Sequence, residues 1–202
     1  MKQVLNFGWS FVDHFKEEYL KVLPKEKKVI DIPHSPVEVP YNYFNELDYQ
    51  GIFTYEKIFD VNEKIENKIF ILHFAGYMLK AHIYLNDNDL GEHASGYVPV
   101  EIDVSDLIKQ KNNRLLVILD SHEDENYPPF GYAVDYLTFA GIYREVSLIS
   151  HPKTYLKNIH VNGKIDGTVS IKYGCLMLHN LGLKRQYSLS SNSAAMLSLK
   201  NN

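Results

Sequence analysis

The sequence predicts an all-β chain organised as a two-sheet β-sandwich, and three observations carry that reading. Short stretches of alternating apolar and polar residues recur along the chain, with Gly, Pro and Asn between them. Only one or two short segments carry a helical period. Strand patterns do not alternate with long helical ones, which argues against a doubly wound fold.

Taken in order, the first element is the exception. Phe11, Phe15, Tyr19 and Leu23 recur every four residues with Lys16, Glu17, Glu18 and Lys21 between them, which predicts a short amphipathic helix ending before Pro24. From Val29 onward the pattern is that of strands. Leu79, Ala81, Ile83 and Leu85 alternate with Lys80, His82 and Tyr84, the period of a half-buried strand. Asn86-Asp87-Asn88-Asp89 reads as the turn after it, with Gly91 supplying backbone freedom to the hairpin. Ser105 to Lys109 fits one or two helical turns. Leu115 to Leu119 is continuously apolar between Asn112-Asn113 and Asp120, the signature of a central strand covered on both faces. Gly141 serves a bend before a last strand carrying Val146 and Leu148. Arg144 is expected to pair with a carboxylate at a sheet edge or domain contact.

Near His151-Pro152 the register restarts, which divides the chain into expected domains 1–150 and 151–202. Ile159 and Val161 precede a turn at Asn162-Gly163, and Val169, Ile171 and Tyr173 alternate with Ser170 and Lys172, as in the opening strands of a second sandwich. All 25 Asp and Glu residues lie at or before Asp166. One or two strands cannot close a sandwich core, so the expectation is a chain truncated or frameshifted inside its second domain; a naturally short basic tail would give the same composition.

Composition bounds the function. At 202 residues, 45% hydrophobic and 23% charged, the chain is of ordinary soluble globular type, and its net charge of -4 disfavours nucleic acid and anionic membranes as partners. No run approaches the roughly 20 apolar residues that span a bilayer. The N-terminal run is interrupted by Asn6, Gly8, Ser10 and Asp13 and does not read as a signal peptide. Cys175 is the only cysteine, so no intrachain disulfide can form and the expected compartment is the cytoplasm. The histidines show neither metal-ligand spacing nor a cysteine partner, and Asp87, Asn88 and Asp89 lack the rest of a calcium loop. No phosphate loop or nucleophile elbow is present, so neither metal nor cofactor is expected.

A series of short motifs occurs in one order: Leu5-Asn6-Phe7-Gly8-Trp9-Ser10-Phe11, Ile32-Pro33-His34, Tyr49-Gln50-Gly51 to Tyr55-Glu56-Lys57-Ile58-Phe59, Phe74-Ala75-Gly76 and Ile83-Tyr84-Leu85-Asn86. Leu90-Gly91-Glu92-His93, Gly96-Tyr97-Val98-Pro99, Asp103-Val104, Asn113-Arg114-Leu115-Leu116-Val117 and Gly141-Ile142-Tyr143-Arg144-Glu145-Val146 follow. Together they resemble the N-terminal region of family 2 glycoside hydrolases such as β-galactosidases and β-glucuronidases. The resemblance implies a jelly-roll, galactose-binding-like sandwich followed by the start of an immunoglobulin-like sandwich. In that family both catalytic glutamates stand on a later (β/α)8 barrel, so the chain is expected to carry no catalytic residue and to be inactive alone. The implied partners are carbohydrate and the barrel of the same enzyme, with a homo-oligomer possible.

Three site residues follow from the resemblance. Asp135 lies six positions before Gly141, where β-galactosidases of the family place an aspartate that reaches the barrel's active site and binds galactosyl hydroxyls and a nearby cation. A carboxylate suits adjacent sugar hydroxyls because it accepts several hydrogen bonds, but a solvated loop carboxylate is the equal alternative. Asn45-Glu46 coincides with the family's Asn-Glu acid/base pair but lacks any barrel pattern around it, so its expected role is at most that of a loop leaning over a sugar pocket. Tyr41, Tyr43, Phe44 and Tyr49, or Tyr127, Phe130 and Tyr132, could stack on sugar rings or simply pack. The stacking role supports a different reading, a stand-alone carbohydrate-binding module with an aromatic platform.

Overall fold

The computed structural model describes residues 1–38, 41–42, 45–128, 139–167 and 169–177. The chain divides into two compact units, Met1–Ser150 and His151–Asn202. In the first, a six-stranded sheet is formed by β2 (Trp9–Val12), β3 (Lys28–Ile30), β4 (Ile52–Phe59), β6 (Lys80–Leu85), β7 (Asn88–Ala94) and β9 (Asn113–Asp120), in the order β3-β2-β4-β9-β6-β7. Facing it are β1 (Lys2–Val4), β5 (Lys68–Phe74), β8 (Val100–Asp103) and β10 (Val146–Pro152), in the order β1-β10-β5-β8. The chain is all-β, a sandwich with its strands in crossed sequence order.

The core lies between the sheets and is built on a period of two. Phe53 and Tyr55 of β4, Ala81, Ile83 and Leu85 of β6, and Leu115, Val117 and Leu119 of β9 face Phe70, Leu72 and Phe74 of β5 and Val146 and Leu148 of β10. The alternation read from residues 79–85 is therefore the alternation of burial along β6. β9 sits at the middle of its sheet, between β4 and β6. Its outer face is covered at Leu116 but only half-buried at Arg114 and Ile118.

The helix expected over Phe11–Leu23 does not form. Phe11 belongs to β2 and to the inter-sheet core, whereas Tyr19 and Leu23 pack with Val12 and Leu116 in a second cluster on the outer face of the six-stranded sheet. The four-residue repeat serves two surfaces, the inter-sheet core at Phe11 and the outer face of the sheet at Tyr19 and Leu23. Within this stretch the helical geometry is confined to a 3-10 turn at Glu17–Leu20, and the carbonyls of Tyr19 and Leu20 accept hydrogen bonds from Arg114 at 2.9 and 2.5 Å. Residues 13–23 thus form a strap. At Ser105–Lys109 the structure has a single turn, with the N–H groups of Leu107 and Ile108 both bonded to the Val104 carbonyl.

Two turns also differ from expectation. Asn86 and Asp87 alone make the β6–β7 reversal, both at positive φ, while Asn88 and Asp89 already belong to β7. Gly91, at φ +85, lies within β7 where the register against β6 slips, so its freedom serves a bulge and not the turn. In the second unit β11 (Thr154–Gly163) and β12 (Val169–Met177) form an antiparallel hairpin. Asn162 and Gly163 pair with Ser170 and Val169, so the reversal falls beyond them, around Gly167 at φ +84.

Asn113, fully buried at the start of β9, ties three connections together. Its Oδ1 accepts from the Lys109 N–H (2.8 Å) and from Asn86 Nδ2 (3.0 Å), while its Nδ2 donates to the carbonyls of Lys109 (2.6 Å) and Phe59 (3.3 Å). Asn113→Ala strands these groups without solvent, and we expect a loss of about 2–3 kcal/mol in urea unfolding. Trp9, the single tryptophan and fully buried, reports that transition by its fluorescence.

Candidate functional site

Several connections meet at one end of the six-stranded sheet. Ile52 of β4, Asp120 of β9 and Lys80 of β6 form its terminal row of paired residues. The segment 41–51 enters β4 there, the segment from Ser121 leaves β9, and Met78-Leu79 leads into β6. The candidate residues Asn45 and Glu46 stand on the first of these segments; Asp135 lies outside the described residues, as do Tyr43, Phe44, Phe130 and Tyr132.

Asn45 is committed locally. Its Oδ1 accepts the Leu47 N–H at 3.1 Å and its carbonyl accepts the Asp48 N–H at 3.0 Å, so it caps a 3-10 helix, Glu46–Tyr49. Glu46 is the first residue of that helix. Tyr49, only 1% exposed, sets its ring edge-on to Phe139 with centroids 5.2 Å apart. It packs and cannot offer a face to a sugar. Tyr41 is fully exposed and Tyr127 is 39% exposed.

Both ends of the segment that carries Asp135 are fixed. On the outgoing side, Asp124 Oδ1 accepts from the backbone N–H (2.9 Å) and Nδ2 (2.8 Å) of Asn126, its Oδ2 accepts from Lys80 Nζ (3.0 Å), and the Tyr127 N–H returns to its carbonyl (3.0 Å). On the return side, Ala140, Gly141 and Ile142 are buried. The Gly141 carbonyl accepts from the Met78 N–H (3.0 Å) and the Ile142 carbonyl from the His34 N–H (2.9 Å). Gly141, at φ +117, lies so close to the His34 carbonyl that a Cβ there would sit 2.2 Å from its oxygen. The expected bend is in fact a backbone crossing. His34 itself sets its Nδ1 3.0 Å from the Tyr55 hydroxyl and its ring against Phe11, and burial lowers its pKa, with Lys28 adding to the effect.

Among the described residues no carboxylate pairs with Arg144. Its Nη1 donates to the Tyr97 carbonyl at 3.4 Å and its guanidinium lies over the Tyr143 ring, while the neighbouring Glu145 takes the ion pair, with Lys2. Tyr143 OH in turn reaches the Gly96 carbonyl.

Sequence reasoning missed Ser121, Lys80, Asp120 and Asp124. Ser121, 1% exposed, accepts the Gly51 N–H at 2.9 Å on its Oγ, which lies 3.1 Å from the carbonyls of both Tyr49 and Gly51. A lone serine after a strand carries no sequence signal; the Asp-x-Asn spacing at Asp124–Asn126 does, as an Asx-turn. Asp124 is held down to about 2, first by the Asn126 N–H, then by Lys80 and the Asn126 side chain, and the same contact raises Lys80. A carboxylate depressed in the folded state favours that state above its unfolded pKa and loses the advantage as pH falls through the folded value. The Lys80–Asp124 contact therefore persists from neutral pH to below pH 4. NMR of the carboxyl carbons should show Asp124 titrating near 2, and Lys80→Met should move it upward without restoring the full ordinary value, because the Asn126 bonds remain.

Among the described residues no group of three or more His, Cys, Asp or Glu side chains is placed to hold a metal, and no helix is long and apolar enough to cross a membrane. An antiparallel sandwich that gathers its connections at one end of its larger sheet defines a β-sandwich domain with a loop-bearing end. The chain belongs to the glycosyl hydrolases family 2, sugar binding domain, whose family model matches residues 30–152. It is similar to a beta-galactosidase of Thermoanaerobacterium thermosulfurigenes, 37% identical over 187 residues, which cover 90% of this chain and 26% of that protein. A beta-galactosidase of Thermoanaerobacter pseudethanolicus is 36% identical over 165 residues, covering 79% of this chain and 22% of that one. The chain thus spans about a quarter of the length of these relatives. Among solved structures, a beta-glucuronidase of an uncultured Clostridium sp. superposes with a TM-score of 0.74 at 22% identity, over 100% of this chain and 39% of that one, a likeness of fold.

Proposed function

We propose that the chain is the N-terminal, non-catalytic module of a family 2 β-glycosidase, which braces the catalytic barrel and lends residues of its loop end to the sugar pocket. The observation that carries this is the family match across 30–152 in a chain spanning about a quarter of beta-galactosidase relatives. Asp135 is the residue assigned to the sugar hydroxyls, with Asn45 and Glu46 assigned to a loop at the same pocket. Support for this comes from Phe139, which follows the Asp135 segment and sets its ring against Tyr49 of the loop that holds Asn45, and from Asp124, which precedes the segment and is tied to Lys80 of β6. The hairpin of the second unit is read as the opening of an immunoglobulin-like sandwich, carbohydrate and the barrel as partners, and the cytoplasm as the compartment. A homo-oligomer is part of the same reading.

The test has two arms. The purified chain should show no turnover of nitrophenyl β-galactoside or β-glucuronide, since glycoside hydrolysis needs two positioned carboxylates on either side of the bond; measurable turnover defeats the proposal. A hybrid in which this chain replaces the matching quarter of the Thermoanaerobacterium beta-galactosidase should hydrolyse the galactoside, and Asp135→Ala should raise its KM tenfold or more. An unchanged KM removes Asp135 from the pocket.

A further inference from the structure

We infer that Ser121 is a positioning residue for the sugar pocket, a latch that fixes the loop bearing Asn45 and Glu46 to the start of the segment bearing Asp135. The inference rests on the proposed function and adds to it a residue that touches neither sugar nor barrel.

Ser121 is the first residue beyond β9, and its backbone and side chain both turn to the other loop. Its N–H donates to the Gly51 carbonyl at 3.0 Å, and its Oγ accepts the Gly51 N–H at 2.9 Å. The hydroxyl proton has two carbonyl acceptors at 3.1 Å, those of Tyr49 and Gly51. One buried side chain therefore closes the C-terminal end of the 3-10 helix that Asn45 caps at the other end. Gly51 stands against the Phe53 ring, where a Cβ would come within 3.0 Å, so the backbone that Ser121 grips has little room to move.

From Ser121 the chain runs directly into the anchored outgoing limb. Asp120 Oδ1 accepts the His122 N–H (2.9 Å) and lies 2.7 Å from His122 Nδ1, and Lys80 bridges towards Asp120 and Asp124 at 3.9 and 3.0 Å. On the return limb, Phe139 closes on Tyr49, whose carbonyl Ser121 holds. The two loops assigned to sugar contact are thus joined through this serine, and a displacement of one is passed to the other. A hydroxyl is needed, since it accepts from an N–H and donates to a carbonyl at the same point; alanine does neither.

The test compares Ser121→Ala with Thr54→Val. Thr54 is a fully buried hydroxyl that donates to the His14 carbonyl at 2.8 Å on the outer face of the sheet, so its loss should lower stability comparably without touching the latch. In the full chain, hydrogen exchange in Ser121→Ala should quicken at least tenfold both at Leu47–Gly51 and at His122–Tyr127, and remain at the wild-type rate there in Thr54→Val. Loosening of one loop only, or the same pattern in both variants, overturns the latch. In the hybrid beta-galactosidase, Ser121→Ala should raise KM at least fivefold with kcat within twofold, and Thr54→Val should change neither. If Asp135→Ala raises KM and Ser121→Ala does not, this inference fails while the proposed function stands. If neither variant moves KM, Asp135 is removed from the pocket and the latch's role there fails with it.

Discussion

Gly141→Ala is expected to destabilise the first unit by about 3–5 kcal/mol, the sum of a strained left-handed backbone and a collision that cannot be relieved. A methyl group there would lie 2.2 Å from the His34 carbonyl oxygen and 2.9 Å from Pro36 Cδ. The oxygen belongs to backbone already fixed by the His34 N–H bond to the Ile142 carbonyl, and on the other side Met78 bonds to the Gly141 carbonyl. Three strands of backbone cross at this glycine, so either the segment 33–36 lifts or the return limb detaches from the sandwich. Gly91→Ala is the internal control. Gly91 also has a positive φ, of +85, but nothing stands within 4 Å of its Cβ position, so only the backbone cost of roughly 1–2 kcal/mol applies. Urea unfolding followed by Trp9 fluorescence separates the two. Equal losses would show that strain alone governs both positions and that the crossing is not tight.

Arg114→Ala is expected to cost about 3 kcal/mol, because it leaves a buried carboxylate without its main partner. Arg114 Nε meets Glu56 Oε1 at 2.7 Å, and the two side chains are 16% and 8% exposed. Nη1 reaches the Leu20 carbonyl and Asp87 Oδ1, and Nη2 the Tyr19 carbonyl. One planar fork thereby holds the strap over the outer face of the sheet, and lysine, with a single ammonium, cannot reproduce that spread. Arg114→Lys should therefore recover only part of the loss. Lys27, 3.3 Å from Glu56 Oε2, softens the penalty in either variant. Limited proteolysis should cut between Asp13 and Leu23 in Arg114→Ala under conditions that spare the native chain. An uncut strap would mean that the apolar contacts of Tyr19 and Leu23 suffice alone.

The parts of the fold legible in the sequence are those where a local period decides the outcome. Ala81, Ile83 and Leu85 alternate because β6 has one face on the core, and the motifs from Asn6 to Val146 fall on strands and turns of a single sandwich. What stayed hidden depends on contacts distant in the chain. Phe11 and Tyr19 share a helical spacing yet face opposite sides of one sheet, a division set by Leu116 and Arg114 nearly a hundred residues later. Gly141 reads as a bend until His34 is placed against it, and Ser121 has no meaning until Gly51 lies beside it. Asp135 was suggested by resemblance alone, and no local pattern in its neighbourhood specifies which way a carboxylate would serve.

The family match begins at residue 30, yet β1, β2 and the strap all precede it. β2 joins β3 to β4, and the Met1 amino group closes on the Ser150 carbonyl at 2.8 Å. A recombinant fragment cut at the edge of the recognised profile would lose an interior strand, orphan β3 and bare Leu116 to solvent. The smallest autonomous piece of this molecule is accordingly larger than the stretch 30–152 that the family model matches, and excision experiments should start from residue 1.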